Sequence, residues 1–322
     1  MELENRRVSV VIATYNRSNV LRFAIETVRW QTHRNWELLV VGDGCTDDTV
    51  DVVGSFEDPR IRFINLPENF GEQSRPNNIG CELASGRYVA FLNHDDLWWP
   101  DHLEHGLQAL AATGADVVFA EMLCLQAGGS FVFGRTRGGC YDPNEHLPAS
   151  SWLVRETAVR EVGPWRPFSA QFSYPSQEWL FRAWWAGTDA RYSPRWIFGR
   201  FSSKKQIRST GHLTALHIPS TLRPNSYRDR DATEHQRYFE LIASGATPRD
   251  LDANPWIPQG WWLPPSMGRL QGPVLRCVLS LGIAPCAVRM FVRNRGRRGK
   301  ELDILRRSRG LHQPNSRQRE GT

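Results

Sequence analysis

The chain has 322 residues, 40% hydrophobic and 23% charged, enough for one large or two modest globular domains with a sizeable core. Its net charge of +6 is uneven: residues 289–322 hold ten Arg and one Lys against Glu301, Asp303 and Glu320, a local +8 that leaves −2 for the rest. A body of that charge excludes a nucleic-acid-binding core and leaves a basic appendage.

Val8-Ser-Val-Val-Ile-Ala-Thr14 reads as a buried strand rich in β-branched residues. A Tyr15-Asn16-Arg17 turn follows, then a helix capped by Ser18, with Leu21, Ala24, Ile25 and Val28 on one face. Leu38-Leu-Val-Val41 is a second buried strand ending in Gly42-Asp43-Gly44, and Thr46-Asp47-Asp48 opens the next helix. Ile61-Arg-Phe-Ile-Asn65 is a third strand, with a helix around 77–84 behind it. The fourth strand, Tyr88 to Leu92, is bounded by Ser85-Gly86 and ends abruptly in Asn93-His94-Asp95-Asp96. A helix with Leu103, Leu107 and Leu110 and a strand over 115–120 continue the alternation. Strands alternating with helices imply an α/β fold, a mostly parallel sheet with helices on both faces.

Beyond about residue 125 the rhythm changes. Ser150-Ser-Trp-Leu-Val-Arg155 is strand-like, a short helix runs to Val162, and Gly163-Pro164 stops it. A helix begins at Pro175-Ser-Gln-Glu178, with Trp179, Trp184 and Trp185 spaced so that at least one faces the core; another covers 233–244. Residues 245–270, rich in Pro and Trp, read as an irregular wrap or linker.

In open α/β sheets, ligands bind outside the carboxyl ends of the strands. Three such ends carry polar groups here: Thr14, Asn16 and Arg17; Asp43; and Asn93 to Asp96. Asp95 and Asp96 have the chemistry for Mg2+ or Mn2+ on a nucleotide diphosphate, a cation that takes most of its oxygens from phosphate and water. The same acids also suit a loop that merely precedes a helix starting at Pro100-Asp101.

Taken together, Val-Val-Ile-Ala-Thr14-Tyr-Asn16-Arg17, Val41-Gly-Asp43-Gly-Cys-Thr-Asp-Asp-Thr49, Asn69-Phe-Gly71, Asn77-Asn-Ile-Gly80 with Ala84-Ser-Gly86, and Phe91-Leu-Asn-His-Asp-Asp96 with Pro100 carry a resemblance. In order and spacing the chain resembles the family 2 glycosyltransferases of GT-A fold over roughly residues 8–200. The resemblance implies a Rossmann-like sheet whose residues 1–125 bind the nucleotide sugar and whose residues 126–245 bind the acceptor and hold the base. Residues 246–322 are left as a Pro/Trp-rich linker and basic helical tail. It also implies sugar transfer from a nucleotide-diphosphate donor, usually a UDP-sugar, to an acceptor hydroxyl with inversion, assisted by Mn2+ or Mg2+.

By that resemblance Thr14, Asn16 and Arg17 contact the nucleotide, and Asp43 reads the base. Asn77 lies on the helix that completes the donor site, although the family's Arg-Asn pair reads Pro76-Asn77 here, with Arg75 one place early. Asn93-His94-Asp95-Asp96 stands where the family has Asp-x-Asp. An amide is a poorer metal ligand than a carboxylate, so the metal falls to Asp95. Asn93, His94 and Asp96 go to the donor-binding set, and His94 serves equally as a polar rim residue. The family's general base stands at the start of a helix in the second half, where Glu178 is the only carboxylate of this chain. A first-turn Glu also complements a helix dipole without catalysis. Arg182, one turn on, suits orienting Glu178, binding phosphate or an ion pair at the core edge.

The acceptor is expected to be a glycan, a lipid-linked molecule or a small molecule. Trp256, Trp261 and Trp262 suit an acceptor groove or a membrane surface, and His212, His217 and residues 223–227 suit a lid or a plain loop. Residues 274–309 mix apolar residues with Arg, which fits a basic amphipathic helix on an anionic membrane or a solvated helix packed on the body. Six Cys without a C-x-x-C pair, no signal-peptide pattern and no apolar run of about 18 residues lead to an expected cytoplasmic location, peripheral at most on a membrane. Two rivals stand beside this reading. A nucleotidyltransferase typically has a Gly-rich phosphate loop after its first strand, which Thr14 to Ser18 lacks; Asn93 gives weight to a non-catalytic sugar-nucleotide binder.

Overall fold

The structure, a computed structural model, describes residues 6–126, 129–135, 139–187, 207–217, 227–251, 278–279, 281 and 283–293. The expectations for Trp256, Trp261, Trp262 and residues 223–226, 274–277 and 294–309 lie outside them.

Strands buried on both faces need no polar alternation, and the two apolar runs near the N-terminus pair on that basis. β1 (Val8–Thr14) and β2 (Trp36–Gly42) run parallel from Val8 opposite Trp36 to Thr14 opposite Gly42. β3 (Ile61–Asn65) adds to β2 and β4 (Tyr88–Phe91) to the other side of β1, both parallel. The connections are α1 (Ser18–Arg29), α2 (Thr49–Gly54) and α3 (Ser74–Leu83). The spatial order 3-2-1-4 reverses at β1, so the crevice outside the ends of β1 and β4 is where a doubly wound fold takes its ligand.

The chain then turns at β5 (Asp96–Trp98), passes through α4 (His102–Thr113), and enters β6 (Val117–Gln126) and β7 (Gly129–Phe133). β8 (Trp152–Arg155), α5 (Glu156–Val162), α6 (Pro175–Gly187) and β9 (Ile207–His217) follow. Three further helices are α7 (Tyr227–Ala243), α8 (Pro248–Leu251) and α9 (Pro285–Arg293). Among the described residues one sheet takes all the strands in the order β3-β2-β1-β4-β8-β6-β9-β5, with β7 on β6. β5, β7 and β8 run against the others, giving the mostly parallel mixed sheet that the sequence implies.

Two layers close the core. α1 and α4 cover one face, where Leu21, Ile25, Leu103 and Leu107 pack on Val10, Ile12, Leu38 and Val40. The other face packs Val11, Val89 and Phe91 against Trp152, Trp165, Trp179 and Trp184. Burial of each such side chain contributes roughly 1.5–3 kcal/mol. Trp179 and Trp184 therefore serve the core, as their helical spacing implied. Gly80 lets α3 lie directly on β1: a Cβ there would come within 2.3 Å of Val11.

Local differences from the sequence reading have physical causes. Ser18 is the first residue of α1 rather than its cap, and its hydroxyl donates to Asp48 Oδ1 at 2.5 Å. β5 has no signal in the sequence because three residues carry no periodicity; pairing with β9 makes it a strand, with Asp96 opposite His217. His212 and His217 lie in β9, neither in a lid nor in a plain loop, and the His212 ring stacks on His105 of α4 with centroids 3.7 Å apart. Among the described residues no helix is long and apolar enough to cross a membrane.

Candidate active site

The polar rim forms where β1, β2 and β4 end. Asn16 adopts φ 50°, a left-handed turn that Asn tolerates. Its side-chain oxygen accepts from Thr46 N at 2.8 Å and Asp47 N at 3.3 Å, tying the end of β1 to the turn after β2. Thr14 is buried, and its hydroxyl has no hydrogen-bond partner among the described residues. Arg17 is also buried at this rim, a cation at the edge of the crevice.

Asp43, 4% exposed, organises the loop that follows β3. Its Oδ1 accepts from Phe70 N at 2.9 Å, and its Oδ2 accepts from Gly71 N at 2.8 Å and Asn69 Nδ2 at 3.0 Å. Gly44, at φ +72°, permits this close approach, since a Cβ there would sit 2.7 Å from the Glu68 carbonyl carbon. The next residues carry the chain toward the second half. Glu72 accepts from Ser74 N and Oγ at 2.9 and 2.6 Å, while Ser74 Oγ also reaches Arg166 O at 3.0 Å. Asn77 is buried on the first turn of α3, and the neighbouring Asn78 pairs with both backbone polar groups of Trp165.

Burial pushes the half-buried Glu72 carboxyl up to about 7; Ser74 opposes the rise and the Asp43 charge adds to it. A carboxyl raised in the folded state contributes stability that is complete below the unfolded value near 4.5 and lost as pH climbs through about 7. Glu72→Gln is therefore expected to flatten the fall in melting temperature between about pH 5 and pH 8. Each kcal/mol relieved at the upper end is worth roughly 2–4 °C or less in a chain of this size. Thermal melts across that range check it, and parallel profiles for both proteins refute it.

Around β4 the side chains separate into two sets. Asp96 is fully buried. Its carboxylate accepts from Asn93 Nδ2 at 2.8 Å and from Ser150 Oγ, and it pairs with His217 Nδ1 at 2.6 Å. Asp96 and Asn93 thus hold each other and His217 in place. Asp95 sits at the surface of that cluster, and α7 supports its backbone through His235 Nε2, 2.9 Å from Asp95 O. His94 Nδ1 lies 3.2 Å from Ala13 O, and its Nε2 lies 4.0 Å from Asp95 Oδ2. A carbonyl only accepts, so Nδ1 carries the proton and Nε2 presents a lone pair or a second N–H toward Asp95. Among the described residues no three His, Cys, Asp or Glu side chains converge as a metal cage.

Glu178 stands on the first turn of α6, its side chain 12% exposed. Oε1 accepts from Arg182 Nε at 2.8 Å and Arg166 Nη1 at 3.1 Å, while Oε2 is buried with no hydrogen-bond partner among the described residues. Arg182 also donates to the carbonyls of Val162 and Pro164, and its contact with Glu178 is an i,i+4 ion pair. Two links connect this turn to the elements of the polar rim. Arg166 O accepts from Ser74, and Gln177 pairs with Leu147, three residues from the Ser150 that holds Asp96.

Residues 9–138 match the model of the family described as Glycosyl transferase family 2. This region is a family 2 glycosyltransferase domain. Over 103 residues the chain is 40% identical to the putative teichuronic acid biosynthesis glycosyltransferase TuaG of Bacillus subtilis, a match covering 31% of this chain and 40% of TuaG. The chain thus spans well under two thirds of that relative. In fold, the chain is similar to S. aureus TarS 1-349 in complex with UDP-GlcNAc, with TM-score 0.55 and 16% identity over 76% of this chain and 68% of that one. It also resembles the mannosyltransferase PcManGT from Pyrobaculum calidifontis in complex with GDP-Man and Mn2+, with TM-score 0.50 and 13% identity over 93% and 78% of the two chains.

Arg166 and Glu72 are site-region residues that sequence reading left without a role, and His217 is one that it placed in a lid or a plain loop rather than in a strand beside Asp96. For His217 a signal was present: Leu213-Thr-Ala-Leu-His217 alternates into a polar end, as β1 and β4 do. Arg166 and Glu72 carried none: Glu72 bonds Ser74 two residues on, and Ser74 in turn meets the Arg166 carbonyl 92 residues away, a contact that no local pattern shows.

Proposed function

We propose that the chain transfers a sugar from a nucleotide-diphosphate donor, a UDP-sugar, to an acceptor hydroxyl with inversion, and that Glu178 is the general base. The observation that carries this reading is the asymmetry of the Glu178 carboxylate: two Arg side chains hold Oε1, and Oε2 is left without a partner among the described residues. Oε2 receives the acceptor proton as the hydroxyl attacks the anomeric carbon, and the two guanidiniums keep the carboxylate aimed. Thr14, Asn16, Arg17, Asp43, Asn77 and Asn93 line or build the donor crevice. Asp43 shapes its floor through residues 69–71. Asp96 acts on the donor through the residues it fixes.

The residues present suit a divalent cation. Asp95 offers one carboxylate with His94 beside it, and a cation on a nucleotide diphosphate needs only one or two protein carboxylates. Such a cation supplies charge stabilisation for the departing diphosphate. Asp95 and His94 would hold it. The cytoplasmic location and membrane contact through 274–309 are part of the proposal. The location is supported by Cys45, Cys81, Cys124, Cys140 and Cys286, which are free thiols among the described residues.

The test is a panel of UDP- and GDP-sugars with and without Mn2+, read by thermal shift and by release of the nucleotide diphosphate. A UDP-sugar is expected to stabilise the chain and to be slowly hydrolysed, both more strongly with Mn2+. Stabilisation without any hydrolysis makes the chain a binder, and no shift with any nucleotide sugar removes the reading.

A further inference from the structure

Large apolar side chains left in water concentrate in one place. Leu281, Ile283, Phe291 and Val292 are 67%, 40%, 49% and 59% exposed, and among the described residues only Val50 and Leu83 are comparable. These four residues flank and end α9. The opposite side of this segment is anchored, since Leu279 and Ala284 enter the core cluster that holds Trp179 and Trp184. α9 is therefore fixed to the body with an apolar face outward, which marks an interaction surface.

α9 also touches the approach to the proposed base. The Phe291 ring meets Phe172 edge-on with centroids 5.1 Å apart, and Cys286 Sγ lies 3.0 Å from Ser173 Oγ. Residues 172–174 lead straight into α6, where Glu178 N bonds to Tyr174 O at 3.0 Å. Six residues span at most about 20 Å, so Glu178 lies no farther than that from the point where α9 docks.

Charge decides what covers the face. From Arg289 onward the sequence carries +8, while the rest of the chain carries −2. A second copy offers too little negative charge to complement this, whereas an anionic lipid surface attracts basic residues next to an apolar wedge. We propose that α9 seats the enzyme on an anionic membrane surface and that the acceptor hydroxyl belongs to the head group of a membrane-anchored amphiphile. Phe291 meeting Phe172 puts the mouth of the acceptor side at the lipid boundary. The hydroxyl then has to stand no more than about 20 Å above it. The acceptor class rests on the glycosyltransferase reading above; the seating of α9 does not.

The experiment uses the full chain with sedimenting vesicles, either of phosphatidylcholine alone or of equal phosphatidylcholine and phosphatidylglycerol. Binding is expected to the anionic vesicles, at least about tenfold weaker to the neutral ones, and reversed by salt. The Leu281→Asp/Val292→Asp variant, changed only at exposed positions, is expected to melt as the parent does and bind about tenfold or more weakly. Hydrogen exchange on the anionic vesicles should protect residues 283–293 together with 172–174. If the parent ignores anionic vesicles, or the variant binds them unchanged, the proposal falls. It also falls if the variant instead dissolves a dimer seen by size exclusion, since a second copy is then the occupant. Protection of 283–293 without 172–174 overturns the acceptor class. Vesicle binding by a chain that binds no nucleotide sugar would remove the glycosyltransferase reading while leaving the seating of α9.

Discussion

Glu178→Gln is expected to lower turnover by about 10²–10⁴-fold while leaving donor binding near the parent level, because the amide keeps the shape and loses the basic oxygen. The surroundings make this substitution a clean one. Oε1 is the atom held by Arg166 and Arg182, and Gln presents a carbonyl oxygen there. The buried Oε2, which has no partner among the described residues to lose, becomes the amide nitrogen. Turnover by nucleotide release and donor binding by calorimetry are measured on the same preparation. Parental turnover in the variant would move the base elsewhere. An equal loss of binding and turnover would make Glu178 a structural acid at the head of α6.

Asp95→Asn is expected to erase the dependence of donor binding on added Mn2+ and to cost at least about 10² in turnover, the several kcal/mol a cation supplies at a departing phosphate. The substitution keeps size, and the Asp95 carbonyl that His235 holds is unaffected. Without metal, parent and variant should bind donor equally, which separates this effect from local damage. A variant that still gains affinity with Mn2+ would take the cation away from Asp95. Asp96 gives the contrast. Its carboxylate is buried among Asn93, Ser150 and His217, so its loss should appear in the melting temperature as well as in turnover.

The first half was legible because its physics is local. Apolar runs buried on both faces gave β1, β2 and β4, and polar residues at their ends marked the rim before any pairing was known. The family resemblance over these residues then met its counterpart in the match to residues 9–138. Legibility failed where neighbours in space are far apart in sequence. Asp96–Trp98 becomes a strand only because β9 lies beside it, more than a hundred residues on. Ser18 was read as a cap from local spacing, yet Asp48, thirty residues away, takes its hydroxyl. The dual restraint on Glu178 by Arg166 and Arg182 had no signature beyond the helical spacing of one of them.

The ladder from β4 through β8 to β6 has a consequence for how such an enzyme is opened or rebuilt. Backbone hydrogen bonds stitch the N-terminal half to the second half across Tyr88–Arg155 and Val117–Val154, so the two cannot part like the jaws of a clamp. Substrate admission has to be handled by the strand-end turns and by the segments around them. A chimera that grafts a relative's second half onto this N-terminal half must import β8 with matching register, or the seam between the halves is left with bare amides.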